Sequence, residues 1–271
     1  MKIKSPWLVH GARRECARLR LLCFPYAGAG ASTFRNWADL LPSEVDVIAV
    51  QPPGREGRFR EQLPTNLREM AVSLVDALAP HLDLPLATFG HSLGTLLSYE
   101  TALELRRRSM PLPSHMIMSG RGAPHQHVES YRKNYRLLPR AIFIEELRNM
   151  QGTPEEVLDS DELMTILLPI LRADFALNAT YDVGNDLPLS CRMTVYGGLN
   201  DIDTSEAQLQ EWRRYTTGGF THRMFEDGHF FVNSMQSQVL HWLVHDLGLQ
   251  RAPADSNPPS NLGVEPVGLK S

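Results

Sequence analysis

A tight turn between an apolar strand and a helix constrains the fold of this chain most. The turn reads Gly90-His91-Ser92-Leu93-Gly94 and matches the pattern G-x-S-x-G. An apolar run before it predicts a strand over 86–89, and the spacing after it predicts a helix over 93–108. On so sharp a turn the serine backbone is strained, and the positions two residues away must be small. Both are glycines here, so the sequence predicts a turn that lifts the Ser92 hydroxyl clear of the strand.

Strands and helices alternate along most of the chain. Apolar runs predict strands over 19–24, 45–50, 86–89, 115–118, 192–196 and 220–225. Helical spacing predicts helices over 31–41, 67–82, 93–108, 204–215 and 234–247. Between residues 124 and 187 only helices are predicted. This pattern is typical of a mainly parallel sheet with helices on both faces. Together with the turn, it predicts an α/β-hydrolase fold with a helical lid inserted at 124–187.

The composition predicts one globular domain followed by a different tail. Hydrophobic residues make up 42% of the 271 residues, charged residues 21%, and the formal net charge is −4. These values give no reason to expect nucleic acid as a partner. Residues 251–271 are rich in Pro, Ser, Asn and Gly, so we predict a disordered tail after a hydrolase domain over residues 1–250.

The sequence also predicts where in the cell the protein is found. Five charged residues interrupt the N-terminal segment, so it lacks the apolar stretch of a signal peptide: Arg13, Arg14, Glu15, Arg18 and Arg20. No run approaches the ~18 consecutive apolar residues of a membrane span. The three cysteines are too few and too scattered for a disulfide framework. We therefore expect a cytoplasmic protein, not bound to membranes, that acts as a monomer.

A serine nucleophile needs a base, and His229 is the best candidate. In this fold the chain order is serine, acid, histidine, with the partners in loops after later strands. His229 follows the strand predicted over 220–225 and precedes the last helix. The other histidines fit less well because they precede the serine or lie inside predicted strands: His91, His115 and His222. No metal is expected, since His241 and His245 have no third ligand in view.

Two aspartates compete for the role of the acid. Asp201 follows the strand predicted over 192–196 and is the favoured residue. Asp203 is the alternative, although it stands directly before a predicted helix, where an N-cap role is expected.

When a serine attacks a carbonyl group, the carbonyl oxygen becomes an oxyanion. In this fold the oxyanion is bound by backbone N–H donors from two loops. Leu93 begins the helix after Ser92, so its N–H is well placed. The second donor is expected in residues 24–31 after the first strand, where small residues allow close approach of the backbone. A phosphate-binding loop is the other interpretation of this glycine-rich segment. No acidic ribose ligand follows the next strand, which argues against it.

Several segments together resemble the type II thioesterases that serve polyketide and nonribosomal peptide synthetases. They lie at residues 24–28, 51–58, 90–94, 119–125, 168–181 and 228–231. The P-G-R-E sequence at 53–56 and the L-R-A-D-F sequence at 171–175 are the most specific, because lipases and peptidases share the G-x-S-x-G turn. The resemblance covers about residues 19 to 247.

The resemblance implies roles for five residues. Ser92, Asp201 and His229 fall on the catalytic triad, and Ala27 and Leu93 fall on the two oxyanion amides. The implied substrate is an acyl thioester on the phosphopantetheine arm of an acyl or peptidyl carrier protein. The implied task, in antibiotic or siderophore biosynthesis, is to remove aberrant or stalled acyl units without a metal or other cofactor.

Other interpretations stay open at this point. Ile202 stands where the family often has a proline after the acid, which leaves Asp203 in competition with Asp201. An esterase or acyltransferase of the same fold is the first alternative function. A catalytically silent binding protein is the second, although such a protein usually lacks a triad residue.

Overall fold

A computed structural model of the protein describes residues 5–11, 14–126, 135 and 137–249. The tail predicted over 251–271 and part of the predicted lid (127–134 and 136) lie outside the described residues. The centre of the fold is one sheet of seven strands, in the order β1-β3-β2-β4-β5-β6-β7. The strands are β1 Leu8–His10, β2 Leu19–Phe24, β3 Val45–Val50, β4 Leu86–His91, β5 His115–Ser119, β6 Arg192–Gly198 and β7 Phe220–Phe225. β1 pairs antiparallel with β3, and all other pairs are parallel.

Helices cover both faces of this sheet, as the sequence predicts. The α-helices of the described residues are α1 Trp37–Leu40, α2 Leu67–Leu78, α3 Leu93–Arg107, α4 Arg140–Asn149, α5 Glu155–Leu158, α6 Asp161–Thr180, α7 Glu206–Gln210, α8 Phe231–Ser234 and α9 Gln236–Asp246. Short 3₁₀ helices lie at Ala31–Phe34, Glu56–Arg58, Ala79–His81 and Glu211–Tyr215. The predicted α/β-hydrolase fold is confirmed.

The strand residues alternate between hydrophobic cores on the two faces of the sheet. In β2, Leu22 and Phe24 pack in the core that contains the apolar residues of α2 and α3. Leu21 and Cys23 pack in the other core, with α1 and α9. Because both faces of the inner strands β2 to β6 are buried, these strands read as mostly apolar runs, which is why their positions can be predicted.

The insertion between β5 and β6 contains α4, α5 and α6 and no strand among its described residues. Its helices enclose a small core of their own, built around Phe143, Met164 and Phe175. By length and mean hydropathy of 1.3, α6 alone in the described part of the chain could span a membrane. Half of that window is buried inside the protein, and its Asp174 side chain forms a buried ion pair. Both observations are typical of a helix packed on a protein core.

The structure departs from the predicted elements at several places, of which three have a clear physical reason. β1 was not predicted, because three residues with one buried side chain carry no periodicity. The helix predicted over 31–41 is a 3₁₀ turn followed by the short α1, since a spacing of three residues between Phe34 and Trp37 suits either helix. The helix predicted over 204–215 begins two residues later, where Ser205 and Gln208 form a capping box.

Candidate active site

The turn between β4 and α3 holds Ser92 in a strained conformation. Ser92 has φ of 52° and ψ of −118°, a combination that non-glycine residues rarely adopt. Its N–H donates to the Ser119 carbonyl over 2.8 Å, which ties the turn to β5. Strain of this kind persists only where the surroundings impose it, and it is common at active sites.

Close backbone contacts explain the two glycines of the turn. A Cβ atom on Gly94 would lie 2.2 Å from the Phe24 carbonyl oxygen. A Cβ atom on Gly90 would lie 2.6 Å from the Gly94 carbonyl oxygen. The helix after Ser92 therefore sits directly against the end of β2, whose loop leads to Ala27.

His229 is bonded to Asp201 and lies in the loop after β7. Its Nδ1 is 2.7 Å from Asp201 Oδ2, and the Asp201 side chain is fully buried. The other Asp201 oxygen accepts the backbone N–H of Asp203 over 2.9 Å and that of Thr204 over 3.2 Å. The carboxylate is thus fixed on both sides, in an orientation that presents one oxygen to the imidazole.

Two adjacent loops bring these residues together. β6 and β7 are parallel neighbours, so the loops that follow them leave the same edge of the sheet. The Asn200 N–H donates to the Asp227 carbonyl over 2.9 Å, and a Cβ atom on Gly198 would lie 2.4 Å from the same carbonyl oxygen. The acid loop and the histidine loop are therefore in direct backbone contact.

Asp203 occupies a different position from the one expected of an N-cap. Ser205, not Asp203, caps α7. Asp203 instead lines the cavity that contains Ser92 and His229. The structure thus pairs Asp201 with the imidazole and places Asp203 at the wall beside it.

A cavity of about 50 Å³ brings Ala27, Ser92 and His229 together. The body of the protein forms one wall, and the lid forms the other with apolar side chains such as Leu171 and Phe175. Among the described residues, no hydrogen bond joins the Ser92 hydroxyl to the His229 ring; such bonds are often long before substrate binds. Leu93 begins α3, and the first N–H groups of a helix have no partner within it.

A buried ion pair joins the lid to the loop that carries Ala27. The Arg55 guanidinium donates to both carboxylate oxygens of Asp174, over 2.5 and 2.9 Å. Both residues are buried, at 4% and 1% exposure. The same carboxylate accepts the Gly28 N–H over 2.8 Å, and Gly28 has φ of 80°. The sequence alone assigns no role to Arg55 or Asp174, although they stand in the two most family-specific segments.

His91 is the buried histidine beside the nucleophile. Its Nδ1 lies 2.9 Å from the Ser119 hydroxyl. Burial, reinforced by the nearby His229, holds the pKa of His91 well below its ordinary value. The ring is therefore neutral near pH 7. It packs against the aromatic rings of Tyr26 and Phe230. In the described ranges no cluster of three His, Cys, Asp or Glu could hold a metal ion.

Comparison with known proteins identifies the family. The thioesterase domain family matches residues 19–246, and the chain belongs to it. The gramicidin S biosynthesis protein GrsT of Aneurinibacillus migulanus is 40% identical over 249 residues, which cover 92% of this chain and 96% of that protein. The chain is one of the type II thioesterases of polyketide and nonribosomal peptide pathways, hydrolases that act on thioesters.

Solved structures agree with this assignment. The RedJ thioesterase from the prodiginine pathway of Streptomyces coelicolor superposes with a TM-score of 0.81 at 36% identity, covering 90% of each chain. The type II thioesterase BorB from the borrelidin biosynthetic cluster gives 0.80 at 29% identity, covering 89% of this chain and 97% of BorB. The family predicted from the sequence motifs is confirmed.

Proposed function

We propose that this enzyme hydrolyses acyl groups from the phosphopantetheine arm of carrier proteins, with Ser92, His229 and Asp201 as its catalytic triad. The observation that carries the proposal is the 2.7 Å bond between Asp201 and His229, at a cavity that also contains Ser92. Membership of a family that acts on thioesters supplies the bond to be cleaved.

The first half of the reaction forms an acyl enzyme. His229 takes the proton of Ser92 as the Ser92 oxygen attacks the thioester carbonyl carbon. Asp201 orients the imidazole and stabilises its charged form. The N–H groups of Ala27 and Leu93 hold the oxyanion, where one donor is typically worth about 3 kcal/mol. The carbon–sulfur bond then breaks, and His229 returns the proton to the departing pantetheine thiol.

The second half releases the acid. A water molecule gives a proton to His229 and attacks the acyl-Ser92 ester. The tetrahedral intermediate collapses, Ser92 recovers its proton, and a free carboxylic acid leaves. Removing stalled or aberrant acyl groups in this way would free the carrier arm to accept a new acyl group.

The expected cytoplasmic location and monomeric state stay predictions.

The test is release of short acyl groups from a phosphopantetheinylated carrier protein, with matching oxygen esters as controls. We expect the wild type to release the acid and Ser92→Ala to lose about 10⁶-fold in kcat. Cleavage of oxygen esters with the carrier left loaded would instead favour an esterase. If neither is cleaved and a fluorophosphonate does not label Ser92, the protein is a binding protein.

A further inference from the structure

Asn178 is a buried polar side chain with unused hydrogen-bonding capacity. It lies on α6, one helical turn after Asp174, and is 2% exposed. Its Oδ1 is buried and has no hydrogen-bond partner in the part of the chain that the structure describes. Buried side-chain amides are nearly always bonded to protein, water or ligand. The Asn178 oxygen is therefore open to a water molecule or to a ligand.

The same side chain lines the cavity that contains Ser92 and His229. Leu171, Phe175 and Asn178 are spaced four and three residues apart on α6, so they share one face of the helix. That face lines the same cavity as the nucleophile. Asn178 is therefore a polar position within an otherwise apolar stripe.

The degree of burial separates Asn178 from the mouth of the cavity. Thr153 and Asp203 are also polar and line the cavity, but both are only half-buried. The phosphopantetheine arm must reach back to a carrier protein outside, so it occupies the open side. A nearly fully buried residue faces the acyl group instead.

We propose that Asn178 makes the enzyme prefer acyl groups that carry a hydroxyl or amino substituent over plain alkyl groups. This rests on the proposed function, and it names the substrate class of the same site. A carboxamide offers one acceptor oxygen and two donor hydrogens, so it pairs with either substituent. An alkyl group would displace water from the amide and replace none of its hydrogen bonds, whereas a substituted group restores one.

The experiment compares matched acyl groups on one phosphopantetheinylated carrier protein: butyryl, 3-hydroxybutyryl and 2-aminobutyryl. Three proteins are used: wild type, Asn178→Leu and Asn149→Leu. Leucine has a similar size but forms no hydrogen bond. Asn149 is exposed at the end of α4 and does not line the cavity, so it provides the same substitution elsewhere in the lid. Ratios of kcat/KM within one protein cancel any loss of folded enzyme.

We expect the wild type to release at least one substituted group about tenfold or more faster than butyryl. Asn178→Leu should abolish this ratio, and Asn149→Leu should keep it. An unchanged ratio in Asn178→Leu, or a wild type that prefers butyryl, would overturn the assignment of Asn178 while leaving thioester hydrolysis intact. If the wild type releases none of the three groups, the proposed function fails with it.

Discussion

The backbone N–H of Gly28 donates a 2.8 Å hydrogen bond to the carboxylate of Asp174, although 146 residues separate the two in sequence. Asp174 belongs to the lid helix α6, and Gly28 follows directly after Ala27. The Arg55 guanidinium donates to both oxygens of the same carboxylate. The lid is thus attached to the loop proposed to bind the oxyanion, so lid position and loop geometry are physically linked.

This link predicts a double defect in Asp174→Asn. The substitution removes the negative charge and leaves Arg55 buried without a counterion, so we expect a loss of about 3–5 kcal/mol in the free energy of unfolding. The loosened loop should also lower kcat more than tenfold, because removing one oxyanion donor typically lowers kcat by a larger factor. Urea unfolding and acyl release measure the two effects.

Two further variants separate stability from geometry. Replacing both partners, Arg55→Met with Asp174→Leu, should recover part of the stability but not kcat. Asp159→Asn breaks an exposed pair with Arg148 in the same lid and should cost less than about 1 kcal/mol. Full activity in Asp174→Asn would show that the ion pair has no influence on catalysis.

The two candidate acids can be told apart by parallel substitutions. Asp201→Asn keeps the shape of the side chain but removes the charge that orients His229, and comparable changes cost about 10⁴-fold in kcat. Asp203→Asn changes only a wall residue and should retain most of the activity. The measurement is kcat for release of one acyl group by each variant. The reverse ranking would make Asp203 the acid.

Long apolar runs made most of the fold predictable. β2, β3 and β7 match the predicted ranges residue for residue. β2 and β3 are buried apolar runs, whereas β7 lies between Gly219 and Glu226, which mark its ends. Where few residues are buried, as in β1, the sequence shows no periodic pattern from which a strand could be predicted.

At the site, the sequence does not predict the contacts between segments that are far apart in the chain. Chain order and motif position singled out Ser92 and His229, and the structure brings both to one cavity. Asp201 and Asp203 are two residues apart in one loop, so chain order does not distinguish them. The folded loop does, because Asp201 accepts the N–H groups of residues 203 and 204 and bonds to His229. The pairing of Arg55 with Asp174 spans 119 residues and leaves no trace in either segment alone.

Acid should destabilise the fold through His115. This side chain is buried in β5 with its Nε2 2.8 Å from the Thr194 hydroxyl. Burial, together with nearby Arg192, lowers the pKa of His115 from 6.5 to about 4. The unfolded chain binds a proton below pH 6.5 and the folded chain does not. Stability is therefore present above pH 6.5 and is lost as the pH falls toward 4, by about 3 kcal/mol.

The variant His115→Gln isolates this contribution. Urea unfolding at several pH values between 7 and 4 should show a smaller loss of stability in the variant than in the wild type. The pKa of His91 is shifted in the same direction, but His91 is present in both proteins and its effect cancels. His241→Gln, at an exposed position of α9, serves as the control. Parallel curves for wild type and His115→Gln would refute the assignment.

The contact between the nucleophile turn and β2 predicts that Gly94→Ala is severely damaging. The new methyl group would lie 2.2 Å from the Phe24 carbonyl oxygen, so backbone on one side must move. Either movement shifts Ser92 relative to the loop after β2, and we expect both lost activity and a stability loss of about 3 kcal/mol.

Gly57→Ala is the control, because its new methyl group meets no atom within 4 Å; it should leave stability within about 0.5 kcal/mol of wild type. Thermal unfolding and acyl release of the two variants provide the comparison. Equal behaviour would mean that the turn tolerates displacement from β2, and the geometric reason given for its two glycines would be wrong.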